Sequence, residues 1–293
     1  MSSVLKTHSK LVATTILLSV SLCMASVASA QSKDWSSIKI ATEGAYKPWN
    51  FTDSSGKLIG LEIELAENLC KRMNAKCEIV AQAFDGMIPA INAGKFDAIM
   101  ATMNITDKRK EAIAFSRPYG QTPTTFAVLK SNPLAKLPEM GQVYSLSTDG
   151  VAAAESSLAN LKPLLKGKLV GVQTSTAHAN FLDKYFKDVV EIRQYKTTEQ
   201  YDLDLAAGRL DAVFGSISYL KGMVETPQNS EMMLSGPRYV GGVLGAGVAV
   251  GIRKTDPELR DKFDAAVGAA IADGTVKTLS MKWFGFDITP AQR

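Results

Sequence analysis

Two kinds of side chain suited to holding a small charged ligand fall at expected strand ends in this sequence. One is cationic. Arg109, closing the run Thr102-Met103-Asn104-Ile105-Thr106-Asp107-Lys108-Arg109, can grip a carboxylate through two parallel N–H donors. Small hydroxyl residues stand before it, and at a helix start such residues leave backbone N–H groups free for an anion. The run Gln173-Thr174-Ser175-Thr176-Ala177-His178 repeats the theme. The other kind is anionic and aromatic: Glu43 and Glu62, with Tyr46 and Phe84, suit a cation held by charge and by ring faces. Together they describe a zwitterionic ligand, with a carboxylate at one end and a basic group at the other. Each piece has a plainer alternative. Arg109 also fits a surface salt bridge, Thr176 a helix cap, and His178, the only histidine after residue 30, a solvated helix-end residue rather than a donor to a second carboxylate. No Cys/His cluster points to a metal, and no cofactor motif or nucleophile–base pair stands out, so neither metal, cofactor nor catalysis is expected.

Those residues need elements to position them. Ile38–Thr42 reads as a buried strand, and Leu61, Leu65, Leu69 and Met73 share one face of an amphipathic helix over 61–73. Strand signals follow at 77–80, 97–100 and 126–129, with helices at 87–92 and 107–114. The alternation resumes with strands at 168–172, 190–195 and 211–214 and helices at 177–186 and 198–206. This predicts an α/β fold, in which ligands sit beyond the carboxyl ends of strands. Lys130–Pro138 reads as surface connection, Gly241–Gly251 as a returning crossover strand that bends, 223–233 as core, and 256–262 as a solvated charged face.

An internal echo bears on domain organisation. Ala93-Gly94-Lys95-Phe96-Asp97-Ala98-Ile99-Met100 matches Ala207-Gly208-Arg209-Leu210-Asp211-Ala212-Val213-Phe214 at an offset of 114 residues. In each copy a helix ends at glycine and a strand starts at aspartate. Two α/β lobes on one plan are the simple inference, and 293 residues exceed what one core usually serves. The expected division is a first lobe over 31–125 that resumes at 246–293, and a second over 126–245. Chance similarity of eight residues is the alternative.

Composition agrees with an exported globular protein. At 46% hydrophobic and 21% charged, disorder and coiled coil are excluded. A net charge of +4 is too weak for a nucleic-acid footprint. Lys6, His8 and Lys10, the apolar stretch Leu11 to Ala25 and the small-x-small site Ala28-Ser29-Ala30 form a secretory signal over 1–30, leaving Gln31 as the new N-terminus. A retained membrane anchor fits less well, because the apolar stretch is short and a polar run follows it. Leu22 before Cys23 argues against a lipid anchor. Export leaves Cys70 and Cys77 in an oxidising compartment, seven residues apart at a helix-to-strand corner, where a disulfide is expected and two buried free thiols are the alternative.

Several runs carry a family likeness: Ile38-Lys39-Ile40-Ala41-Thr42-Glu43, Gly60-Leu61-Glu62-Ile63-Glu64-Leu65-Ala66, Asp97-Ala98-Ile99-Met100, Ile105-Thr106-Asp107-Lys108-Arg109, Asp273-Gly274-Thr275 and Lys282-Trp283-Phe284. Over nearly all of 36–288 the chain resembles the polar amino-acid solute-binding proteins of ABC importers. The Thr-Glu-Gly-x-Tyr-x-Pro-Trp-Asn-Phe run at 42–51 and the long segment Pro133 to Lys166 are similar to the octopine- and nopaline-binding branch. The resemblance implies a two-lobed periplasmic binding-protein fold (type II) with a hinge of two crossover strands near 125 and 245. It implies a periplasmic monomer that is not an enzyme, closes over one small molecule and docks on a membrane permease. Carried over by residue, Arg109 clamps the ligand's α-carboxylate with help from Ala101, Thr102 and Asn104. Tyr46 and Phe84 flank the side chain, Glu43 and Glu62 meet its basic end, and Gln173, Ser175, Thr176 and His178 close from the second lobe. Ser216 stands where simple amino-acid binders carry an aspartate for the α-ammonium, which favours a substituted amine with a second carboxylate, as in opines. Phe84 departs from the tryptophan of octopine binders, and Thr124 lies where opine binders vary. The implied ligand is a basic amino acid or an arginine-derived opine. Plain arginine, lysine, ornithine or histidine is one alternative, and prephenate-like dehydration, known for a few relatives of this fold, is another.

Overall fold

A computed structural model of the protein describes residues 33–290; the expected signal segment, 1–30, lies outside them. Burial begins with β1 (Ser37–Thr42), whose Ile38, Ile40 and Ala41 are inaccessible to solvent. A small antiparallel meander of β2 (Ala45–Tyr46), β3 (Asn50–Thr52) and β4 (Leu58–Ile59) leads into α1 (Leu61–Arg72). Leu61, Leu65 and Leu69 bury one stripe of α1, with Glu62 and Glu64 in its first turn and Lys71 and Arg72 in its last, the charge order a helix dipole favours. Cys70 near the end of α1 and Cys77 in β5 (Lys76–Ala81) form a disulfide that closes the corner between them.

The chain continues through α2 (Met87–Asn92), β6 (Ala98–Ile99), α3 (Asp107–Ala112) and β7 (Ala114–Phe115). It then crosses to a second sheet at β8 (Thr124–Leu129). That half contains β9 (Val143–Ser145), α4 (Val151–Leu165), β10 (Leu169–Gln173), α5 (Ala177–Phe186), β11 (Glu191–Tyr195), α6 (Thr198–Ala206), β12 (Ala212–Ser216), α7 (Ile217–Val224) and β13 (Met232–Val240). β14 (Gly251–Ile252) returns to the first sheet, and α8 (Pro257–Ala272) and α9 (Thr275–Phe284) pack against α1. The sheets have the orders β5-β1-β6-β14-β7 and β11-β10-β12-β8-β13-β9. In each, three parallel strands (β5-β1-β6 and β11-β10-β12) are extended by an antiparallel one, β14 or β8. This is a mixed α/β architecture, as the alternation of strand and helix signals predicts.

The echoed residues make the same joint in both sheets. Gly94 (φ 76°) and Gly208 (φ 67°) take the left-handed conformation beyond α2 and α6. Asp97 then accepts a hydrogen bond from the Lys39 N–H of β1 at 3.0 Å, and Asp211 from the Leu169 N–H of β10 at 2.9 Å. A cation stands on each carboxylate: Arg253 at 2.9 Å from Asp97, and Lys168 at 3.2 Å from Asp211. Each aspartate fastens one strand to its parallel neighbour before the two run on to their carboxyl ends. The segments crossing between the sheets, 116–123 and 241–250, pair with each other. The Val248 N–H donates to the Gly120 carbonyl (2.8 Å) and the Tyr119 N–H to the Val248 carbonyl (2.9 Å).

Four stretches differ from expectation. Of 223–233, expected as core, only Met223 and Met232 are buried, the turn between them lying at the surface. Lys130–Pro138 is not merely surface connection, because a short 3-10 turn at Pro133–Lys136 delivers Leu134, and Leu137 after it, into the core of the second half. Gly241–Gly251 is not one bent strand. Gly241, Gly242, Gly245 and Gly247 all have positive φ and Gly242–Leu244 forms a 3-10 turn, so strand geometry returns only at β14. The charge run at 256–262 lies at the start of α8 but is not wholly solvated, since Leu259 is buried and Asp256 meets Arg253 at 2.6 Å. Among the described residues no helix is long and apolar enough to cross a membrane.

Candidate functional site

The strands of the two sheets end at a common cavity with about 630 Å³ of empty space, part of it open to solvent. From the first half Tyr46, Phe84, Ala101, Thr102, Asn104 and Arg109 line it; from the second, Thr124, Gln173, Thr176, His178 and Ser216. The other three expected residues, Glu43, Glu62 and Ser175, are not in the lining, although each bonds to a residue that is.

Arg109 is brought to the cavity by α3, whose start is capped by Thr106; its hydroxyl accepts from the Arg109 N–H at 3.3 Å. The side chain is buried. Nη1 donates to the Asn104 carbonyl (3.1 Å), Nη2 donates to the Ser175 carbonyl (3.0 Å), and the guanidinium lies 5.3 Å from the Phe84 ring centre. Among the described residues no carboxylate pairs with it. Burial alone pulls the guanidinium down to about 10, still charged at neutral pH. The Ser175 contribution is thus its backbone oxygen, offered from a left-handed turn (φ 61°) just before α5. Thr176 caps α5, accepting from the Ala179 N–H (3.1 Å) while donating to the Gln173 carbonyl (2.7 Å). His178 follows in the first turn. Burial, and secondarily the charge of Arg109, hold it down to about 4, so it is a neutral imidazole at neutral pH.

The two acids play different parts. Glu62 accepts from the Thr102 N–H (2.6 Å), the Asn50 amide (2.5 Å), the Tyr119 hydroxyl and, at 3.2 Å, the Thr102 hydroxyl. Burial raises its pKa against these bonds. It is a positioning group: a β-branched threonine at φ 52° is strained, and Glu62 holds Thr102 there. Glu43 has one partner of this kind, the Gln173 amide at 2.5 Å, which comes from the end of β10 in the other half. Burial pushes Glu43 up to about 7, with Glu62, Glu199 and Asp85 adding repulsion. The ring of Tyr46 stacks on Tyr219 of α7 (4.8 Å, 16°), whose hydroxyl donates to Asp202.

Ser216 belongs to a group of hydroxyls, with Thr122 at 2.6 Å and Ser218 at 2.7 Å; the Trp49 indole N–H donates to Ser218 at 2.8 Å. Thr122 and Gln121 also line the cavity, as do Val240, Gly241, Leu244, Gly245, Gly247 and Val248; the sequence reading overlooked all of these. For Thr122 a usable signal existed. β8 is antiparallel to β12, so its beginning, not its end, lies with the carboxyl ends of the parallel strands. Among the described residues no group of three or more His, Cys, Asp or Glu is placed to hold a metal ion.

Comparison with known proteins shows the family. Residues 38–286 match the family model described as bacterial extracellular solute-binding proteins, family 3. The chain is 45% identical to an octopine-binding periplasmic protein of Rhizobium meliloti, covering 94% of this chain and 98% of that protein. It is 31% identical to a lysine/arginine/ornithine-binding periplasmic protein of Escherichia coli (strain K12), covering 93% and 97%. Among solved structures, an ancestral arginine-binding protein bound to arginine superposes with a TM-score of 0.71 at 30% identity, covering 85% of this chain and 99% of that one. The chain belongs to the bacterial extracellular solute-binding proteins, family 3.

Proposed function

We propose that this protein is the periplasmic receptor of an ABC importer and that its cavity takes an arginine-derived opine or a basic amino acid. The observation that carries the reading is Arg109: a buried guanidinium with two carbonyl acceptors and no carboxylate partner among the described residues. A buried charge without a counter-charge is costly, and a ligand carboxylate supplies one. Neutral His178 beside it can donate a further hydrogen bond. Glu43, buried at the seam between the halves, is the natural partner for a guanidinium at the ligand's other end, and the rings of Tyr46 and Phe84 suit its flat face.

In this reading the halves correspond to lobes, 31–125 with 246–293 and 126–245, the first boundary falling inside β8. They close about the crossing segments near 125 and 245, and the closed form is what the permease receives. The protein works as an exported monomer, its signal removed near Ala30, and binds without turnover. The octopine-binding relative favours an opine, and so does Ser216, which offers a hydrogen bond but no charge to a primary ammonium. The lysine/arginine/ornithine-binding relative and the arginine-bound structure favour the plain basic amino acid as the second reading.

Calorimetric titration with octopine, nopaline, arginine, ornithine and histidine tests the proposal. Opines should bind more tightly than the free amino acids. Arginine binding as tightly as any opine would leave the second reading standing, and no binding by any of them would overturn both. Turnover of prephenate or arogenate would point instead to an enzyme.

A further inference from the structure

Behind the cavity wall, four side chains form a hydrogen-bond chain with a preferred direction. Trp49 is buried between the meander and α9, and its Nε1 stands 2.8 Å from Ser218 Oγ at the start of α7. An indole N–H can only donate, so Ser218 must accept from it and send its own proton onward. The nearer acceptor is Ser216 Oγ at 2.7 Å; Ser216 in turn meets Thr122 Oγ1 at 2.6 Å and the phenol of Tyr46, which burial keeps protonated and able to donate to it. The return contact from Thr122 to Ser218 is 3.2 Å, longer than the ~2.5–3.0 Å of a sound O–H···O bond. Donation into one end of such a chain strengthens donation at each following step. The Thr122 proton is therefore the one left over, and Thr122, unlike Ser218 and Trp49, lines the cavity.

We infer that Trp49 and Ser218 are positioning residues for ligand recognition. They polarise the hydroxyls so that Thr122 presents a proton to the cavity, and the group this recognises is an anionic acceptor: the second carboxylate of an N-carboxyalkyl amino acid. The inference rests on the proposed ligand class and says which wall reads the feature that separates an opine from its parent amino acid. A primary ammonium, itself only a donor, gains nothing from a hydroxyl whose proton faces it. Because Trp49 belongs to the first half and Ser218 to the second, the chain is complete only when the halves meet as they do here.

The test is titration of the full mature protein with octopine and with arginine, for the parent and for Thr122→Val, Thr122→Ser, Ser218→Ala and Trp49→Phe. Thr122→Val, Ser218→Ala and Trp49→Phe should each weaken octopine roughly ten- to a hundredfold, the range of one hydrogen bond to a charged group, and lower the octopine-to-arginine affinity ratio by most of that factor. Thr122→Ser, which keeps the hydroxyl, should bind octopine as the parent does. Trp49 is a core residue, so Thr122→Val and Ser218→Ala decide the matter if Trp49→Phe fails to fold. Equal weakening of both ligands, or Thr122→Val binding octopine as the parent does, would overturn the inference while leaving the receptor reading intact. A parent that binds neither ligand would overturn the receptor reading as well.

Discussion

The same eight-residue joint occurs in both halves of the molecule, and what it delivers to the cavity differs. In each half a glycine ends a helix and an aspartate fastens the next strand. The strand then brings a hydroxyl residue to the wall at equivalent positions, Thr102 in the first half and Ser216 in the second. Thr102 is immobilised by the buried carboxylate of Glu62, and its half supplies Arg109 to the lining and Glu43 just behind it, bonded to the lining residue Gln173. Ser216 is bonded only to other hydroxyls, and its half supplies neutral groups: Gln173, Thr124 and an uncharged His178. A shared scaffold thus sets where the walls stand. The chemistry just past each joint makes one wall an anchor and the other a selector.

The largest expected effect tests the anchor. Arg109→Ala should weaken any carboxylate ligand by about 2–5 kcal/mol, the cost of removing one partner of a desolvated charge pair, and the protein should still fold because the side chain faces a cavity. Parent-like affinity by calorimetry would show that the anchor lies elsewhere. Next comes the staple that only the first half has. Its α1–β5 corner carries Cys70–Cys77, whereas the α5–β11 corner closes on the buried side chains of Phe186 and Val190. Reduction should cost roughly 2–3 kcal/mol and speed amide exchange in α1 and β5 while sparing α5 and β11. Labelling of both thiols in unreduced protein would remove the asymmetry.

The joints themselves are open to the same comparison. Arg253, the partner of Asp97, has a side chain 12% exposed, against 32% for Lys168, the partner of Asp211. Asp97→Ala should therefore destabilise more than Asp211→Ala, about 2–3 against about 1–2 kcal/mol by urea unfolding, within the range for hydrogen bonds to charged groups. Equal costs would contradict the ranking. Burial pushes Asp211 up, but the Leu169 N–H, Asn132 and Lys168 outweigh it and hold its pKa below the usual range. Its share of stability is present above the unfolded carboxylate pKa and is lost as pH falls.

The smallest effect concerns Glu43. Its raised pKa, about 7 against 4.5, means that its contribution to stability is full below 4.5 and is lost as pH rises through about 7. A cationic ligand end beside it favours the ionised form. Affinity should thus rise modestly from pH 5 to 7.5 with release of a proton on binding, and Glu43→Gln should abolish that proton release. Buffer-independent binding enthalpy at pH 6 in the parent would contradict the assignment.

Part of the fold was legible from periodicity: α1 and α5 bury clear apolar stripes, α5 coinciding with the residues expected and α1 ending one residue short, while α2 and α6 also coincide although α2 is short and the stripe of α6 is weak. The misses have physical reasons. α4 is rich in Ala and Ser and holds Pro163 within its last turn, so its apolar stripe is faint, and β9 is a three-residue edge strand. The rule of looking after each strand found Glu43, Thr102 and Gln173, whereas Ser216 came only through the family resemblance. It passed over Thr122, because an antiparallel strand presents its beginning to the cavity. Trp49 and Ser218 meet only through tertiary structure, 169 residues apart, and no local pattern joins them.

The claim that the second half selects the ligand is tested most directly by Ser216→Asp, titrated with octopine and arginine beside the parent. A carboxylate at 216 would pair with a primary ammonium and repel the opine's second carboxylate. The account predicts that the parent prefers octopine and that the variant reverses the preference toward arginine, with Arg109 anchoring both. A ratio of the two affinities unchanged by the substitution would contradict it.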